Sequence, residues 1–187
     1  MKVQRALAGA VLLCVAASGT ALAANDKSNP NQTSVSGDNI GHCTVAGQVQ
    51  GEFTVSGVTS GWPPNHKPKD IHFTLTDTSG PPSGVTITVV GVSDEAANAT
   101  GSGNTSPDLA GGTANGDPSA TVNAWYLAER AGNGNGRVYT WTITGSVNGP
   151  DASGGTTPCD NPVTYKTYVV HDQGGGNDAG QDLPPAP

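Results

Sequence analysis

The sequence predicts an all-β protein, an antiparallel two-sheet sandwich of about seven strands, on three observations. Short runs of alternating apolar and polar residues recur along the chain, the period-2 mark of a strand with one buried face. Turn formers separate them: glycine and proline together make 41 of 187 residues, about 22%. No stretch carries a convincing helical period, and glycine shows no G-X-Y repeat, which removes collagen. With only 12% charged residues the chain is not of the highly charged disordered kind.

In chain order, residues 1–23 read as a secretory signal peptide. Lys2 and Arg5 give a positive start, residues 6–17 a small apolar stretch, and Ala21-Leu22-Ala23 a cleavage site before Ala24. Cys14 raises a lipoprotein signal as the rival, but the residue before a lipidated cysteine is small and here it is Leu13. Residues 24–41 are polar and read as a flexible leader. The folded domain is expected over 42–173. Its runs fall at 44–49 and 52–58, then at Ile71, Phe73 and Leu75, at Val85, Ile87 and Val89, and at Val122, Ala124, Tyr126 and Ala128. Tyr139, Trp141 and Ile143 form the next, and Val163, Tyr165, Thr167 and Val169 the last. Seven such strands in a chain of this size predict a sandwich of immunoglobulin-like type. Residues 132–136, a Gly-Asn-Gly-Asn-Gly run, read as a hairpin, because Gly and Asn tolerate positive φ. Residues 96–119 are long, rich in Gly, Asn and Thr, and read as a surface excursion or a loop ordered by something bound. Residues 174–187 read as a disordered Gly/Pro-rich tail.

The formal charge of the whole chain is −7, and removing Lys2 and Arg5 with the leader makes it −9. Such a surface repels phosphates, so nucleic acid and anionic membranes are poor partners. No later stretch offers the ~20 apolar residues of a membrane span. Cys43 and Cys159 remain, in a chain expected to be exported, and a disulfide between them would close a loop of 116 residues. Two free thiols or a metal pair are the alternatives, without CxxC spacing or a His cluster to favour them.

Five segments carry a resemblance. Trp62-Pro63-Pro64-Asn65-His66-Lys67 is followed by Ser93-Asp94-Glu95, then by Gly101-Ser102-Gly103-Asn104-Thr105-Ser106-Pro107-Asp108. Leu127-Ala128-Glu129-Arg130 and Gly132-Asn133-Gly134-Asn135-Gly136-Arg137-Val138-Tyr139-Thr140 come next, and Val169-Val170-His171-Asp172-Gln173 closes the series. In this order they resemble the W-P-P-N-H-K, S-N-E-P, G-D-G-D-T-A-P-D, L-R-A-E-R-S-G-x-G-x-G-R-x-Y-T-I-T and V-P-H-D-Q hallmarks of an Ig-like domain of secreted bacterial proteins. The likeness spans residues 62–173. It departs at 145–161, which is longer than the family's D-A-S-G-N turn. The resemblance implies the sandwich fold and an accessory module, often found beside hydrolase or adhesive domains.

Functional candidates are few. Asp94, Glu95, Asp108, Glu129 and Asp172 fall at strand ends or in loops and could converge on Ca²⁺, which takes six to eight oxygens. The competing expectation makes them solvated acids, caps or ion-pair partners, for instance Glu129 with Arg137. The chain needs no cofactor on this reading, and calcium is the one it could take. His42, His66, His72 and His171 lack zinc-ligand spacing. Trp125 is out of phase with Val122, Ala124 and Tyr126, so it faces outward as a glycan-stacking surface unless the long loop covers it. No G-x-S-x-G elbow or phosphate loop is present, and adjacent acids on a strand point to opposite faces, so no catalytic residues are expected. The sequence therefore predicts a secreted, extracellular or periplasmic, non-catalytic Ig-like structural or adhesive module. Its partner would be a protein or glycan at the cell exterior. The alternative is a binding domain for calcium or glycan.

Overall fold

The computed structural model describes residues 33–61, 64–80, 84–95, 107–129, 136–148 and 156–169. The expected signal peptide, the tail, Asp172, residues 24–32 of the leader and most of the 132–136 hairpin lie outside them. The described residues contain ten strands and no helix. These are β1 (Thr33–Val45), β2 (Gln48–Gly61), β3 (Pro68–Asp77), β4 (Val85–Ser93), β5 (Leu109–Ala110), β6 (Gly112–Gly116), β7 (Ser119–Leu127), β8 (Arg137–Asn148), β9 (Thr156–Pro158) and β10 (Val163–Val169).

The all-β expectation holds, but two separate sheets of about seven strands are not what forms. One continuous sheet runs β5-β7-β3-β2-β10-β8-β4-β6, with β1 on β2 and β9 on β8, and it curls into a nearly closed barrel-like shape. The physical reason lies in β2. A strand has two edges, and β1 occupies one of them as far as Ser60. On the other edge β3 pairs from Gly51 to Gly57, and β10 then pairs in parallel at Ser60 and Gly61. The exchange of partners follows Gly57, whose φ is +107° and where a Cβ would meet the Asp70 carbonyl oxygen at 2.6 Å. Only glycine fits both the dihedral and the approach. The Val58 carbonyl, next in line, accepts a hydrogen bond from the Tyr126 hydroxyl at 3.2 Å.

The other closure is made by the segment expected to be a surface excursion. Leu109 and Ala110 pair with β7, and one residue later Gly112 begins the pairing with β4. Gly111 thus carries the chain from one end of the strand order to the other, against the Val89 backbone, where a Cβ would clash. After Asp117-Pro118, a cis peptide, the chain returns as β7. Residues 107–119 are therefore part of the sheet rather than a loop laid over it.

Two further expectations change. The flexible leader is a strand from Thr33 onward. Its polar residues are tolerated because β1 is largely exposed, while Val35 and Ile40 rest against the core. Bulges punctuate its pairing with β2, a common feature of sheet edges. The run at 44–49 is the turn between β1 and β2, with Ala46 at φ 49° and Gly47 at φ 76°, the positive pair of a type I′ hairpin. Asp160 holds this turn, accepting hydrogen bonds from the Ala46 and Gly47 amides at 3.3 and 3.1 Å.

Where the alternation was strong the strands follow it. Phe53 and Val55, Ile71, Phe73 and Leu75, and Val122, Ala124 and Tyr126 pack against Val85, Ile87 and Val89 and against Tyr139, Trp141 and Ile143. Trp141 is fully buried, 5.7 Å from the Phe73 ring, and its indole N–H donates to the Thr167 hydroxyl at 3.1 Å. Each large side chain so buried stabilises the fold by about 1.5–3 kcal/mol. Cys43 and Cys159 form a disulfide across 116 residues. Chain entropy assigns a loop of that size roughly 4–5 kcal/mol.

The partner exchange in β2 makes a definite prediction. Replacing Gly57 by alanine costs about 2–3 kcal/mol, the sum expected of a strained φ and a backbone clash. A urea melt of Gly57→Ala with an unchanged midpoint would show that the exchange does not depend on this residue.

Candidate functional site

Register alone gathers charged residues at one pole of the barrel. Ser93 of β4 pairs with Tyr139 of β8, so Asp94 and Glu95 continue beside Val138 and Arg137. The Asp94 amide donates to the Val138 carbonyl at 3.1 Å, and the Asp94 carboxylate accepts from the Val138 amide at 2.8 Å, capping the ladder. Leu109 pairs with Tyr126, and the Leu127 amide then donates to the Asp108 carbonyl at 2.8 Å. The His66 amide donates to the Ala128 carbonyl at 3.0 Å, which brings His66 next to Glu129.

Arg137 is at the centre. It lies two residues before Tyr139 and four before Trp141, so strand alternation turns it inward. It is fully buried. Its Nη1 donates to Asp108 Oδ2 at 2.8 Å, to Glu129 Oε1 at 3.1 Å and to the Tyr139 hydroxyl at 3.3 Å. Its Nε donates to Glu95 Oε2 at 3.0 Å. The guanidinium carbon stands 5.9 Å from the centre of the Tyr139 ring. Glu129, also fully buried, uses Oε2 on His66 Nδ1 at 3.0 Å. The Tyr139 hydroxyl donates to the Leu127 carbonyl at 2.8 Å. His66 is half exposed and holds a positive φ of 56°.

Three carboxylates thus face one guanidinium inside the protein. Burial would push the Arg137 pKa down, but the hydrogen bonds and charges of Tyr139 and Glu95 reverse this and raise it, so the guanidinium stays charged. Asp108 is pushed up, first by burial and then by the hydrogen bond and the charge of Glu129, with Arg137 offsetting only part. Asp108 Oδ1 has no hydrogen-bond partner among the described residues, which further favours a bound proton there. Burial also raises the Tyr139 pKa. Chemically this arrangement is a clamp. One cation ties the end of β4, the approach to β5, the end of β7 and the start of β8 to each other, and His66 adds the approach to β3.

Of the five acids expected to converge on calcium, Glu95, Asp108 and Glu129 do come together, but on Arg137. Asp94 caps the β4–β8 ladder instead, and Asp172 lies outside the described residues. Among those residues no group of three or more His, Cys, Asp and Glu side chains is disposed to hold a metal. Trp125 lies in the outward phase of β7, between Asp70 of β3 and Ala110 of β5, and is partly buried there. His72 binds Asn123 on the same outer face at 2.8 Å. What sequence reasoning missed is the central place of Arg137, and the signal was present as an arginine in the inward phase of a strand. Comparison with protein-family models, curated proteins and solved structures returned no match.

The sign of the pH dependence follows from Asp108. Its folded pKa lies above the ordinary value of 3.8, so the folded state holds the proton more tightly than the unfolded chain does. The associated stability is complete below that value and is lost as pH rises through the folded pKa. Asp108→Asn imitates the protonated acid. Relative to this variant, the wild-type melting temperature should decline as pH is raised from 4 towards 8; parallel curves would contradict the assignment.

Proposed function

We propose that the chain is an exported, disulfide-closed Ig-like β-sandwich domain that serves as a non-catalytic structural or adhesive module at the bacterial cell exterior. The observation that carries this is the Cys43–Cys159 bond, which joins β1 to the segment after β9 across 116 residues. A disulfide belongs to an oxidising compartment, and the leader-like residues 1–23 supply a route to one. The strand order is compatible with the one continuous sheet folding over into two layers. The run β5-β7-β3-β2 can form one layer and β10-β8-β4-β6 the other, with β2 bridging them where its partner changes and the core between. The non-catalytic reading rests on the pole, where Arg137 occupies Glu95, Asp108 and Glu129.

Expression of the full chain in a bacterium, followed by fractionation and maleimide labelling under denaturing conditions, examines this directly. The expected product is found outside the cytoplasm, begins near Ala24 and offers no free thiol at Cys43 or Cys159. A cytoplasmic, full-length product with both thiols reactive would sink the proposal.

A further inference from the structure

β5 is the shortest of the described strands, and it is bound directly to the buried charges. Its two residues, Leu109 and Ala110, pair with Tyr126 and Trp125 of β7, so backbone pairing alone holds it loosely. Leu109 rests against the core, and it and the Trp141 ring both close on Gly91 of β4, where an added Cβ would lie 2.7 Å from each. Just before the strand, the Asp108 carbonyl accepts from the Leu127 amide at 2.8 Å. The Asp108 carboxyl is buried and takes Arg137 Nη1 on one oxygen at 2.8 Å. Its other oxygen, Oδ1, and Arg137 Nη2 are buried without a hydrogen-bond partner. Among the described residues, the titratable and charged groups around this carboxyl are Glu129 at the end of β7, Arg137 and Tyr139 of β8, and Glu95 after β4. His66, before β3, joins them through Glu129. Just after the strand, Gly111 passes against the Val89 backbone into β6.

We propose that residues 107–111 are a strap latched by one proton: with Asp108 protonated, β5 is docked on β7, and loss of that proton lets Asp108, Leu109 and Ala110 lift off together. Lifting uncovers the β7 edge from Trp125 to Leu127 and the side of Trp141 that Leu109 shields. The carboxyl has two environments to choose between. Docked and ionised, it is a third buried carboxylate on one guanidinium, beside Glu129; lifted, it is in water. Burial, and after it the hydrogen bond and charge of Glu129, raise its docked pKa above the ordinary 3.8. The docked strap therefore holds the proton more tightly than the lifted one. Docking is tightest below the ordinary value, weakens as pH rises through the docked pKa, and levels off above it. The rest of the sheet keeps its own pairing, β3 with β7 over nine positions and β4 with β8 over nine. A short strand at the end of the strand order can open without them. A general loss of stability with pH loosens the whole sheet alike, whereas a strap loosens one end of β7.

Amide hydrogen exchange followed by NMR on the folded, oxidised protein, with the intrinsic exchange rate divided out at each pH, provides the test. The Leu127 amide reports on the strap because its acceptor is the Asp108 carbonyl. The Cys159 amide, which donates to the Gly145 carbonyl at 2.8 Å near the other end of β8, reports on the rest of the fold. Between pH 4 and pH 8 the protection of Leu127 should fall by roughly tenfold, as release of one proton allows, while that of Cys159 holds. In Asp108→Asn, which cannot release the proton, Leu127 protection should stay level across the same range. Constant Leu127 protection in the wild type overturns the proposal. So does a parallel fall at Cys159, which would mean global unfolding, or a fall at Leu127 that persists in Asp108→Asn. The wild-type comparison of the two amides needs no variant, so it decides the matter even where Asp108→Asn folds poorly.

Discussion

The fold depends on a single buried cation. Arg137 opens β8 facing inward, and a guanidinium in that position must be paired or the strand cannot start there. Its partners come from segments far apart in sequence: Glu95, Asp108 and Glu129 all reach it within 3.1 Å. Each of them sits where a strand begins or ends. The charge requirement of one side chain thus sets where β4, β7 and β8 stop or start, and why the residue before β5 is an acid. Burial first, and then the neighbouring Glu129, raises the Asp108 pKa, and His66 binds Oε2 of Glu129.

β8 is fastened at both ends by different chemistry. At its start the clamp is ionic. Eight residues on, roughly 27 Å at the rise of an extended strand, Gly145 accepts the Cys159 amide hydrogen bond at 2.8 Å, and Cys159 is bonded to Cys43. Asp160 then reaches the β1–β2 turn. Between these ends runs the buried row of Tyr139, Trp141 and Ile143, so the strand that carries the largest fully buried side chain is also fixed at each pole. The outward positions of the same strand are Thr140, Thr142, Thr144 and Ser146.

What could be read from the sequence divides along physical lines. Strands with a buried face, such as those holding Ile71, Phe73 and Leu75 or Val85, Ile87 and Val89, announced themselves, because water must be excluded from every second side chain. Strands stabilised mainly by backbone pairing did not: β1 is polar, and β5, β6 and β9 are too short to show a period. The change of partners along β2 was invisible because it turns on one backbone dihedral at Gly57. Cys43 and Cys159 were legible as a pair because few cysteines were available. The acids at 95, 108 and 129 were legible as a group and Arg137 as a partner for Glu129, but not that all three acids meet on Arg137, since spacing alone does not tell a metal from a guanidinium. The inward phase of Arg137 is the observation that separates the two.

The central claim is that Arg137 holds the pole by neutralising buried carboxylates, and a mutant cycle measures it most directly. Arg137→Met alone should cost about 3–5 kcal/mol in a urea melt, because it strands the acids. Combined with Asp108→Asn and Glu129→Gln, the same substitution should cost at least ~2 kcal/mol less, within the range of coupling for residues in one network. If the loss is the same in both backgrounds, the acids do not depend on Arg137 and the account fails.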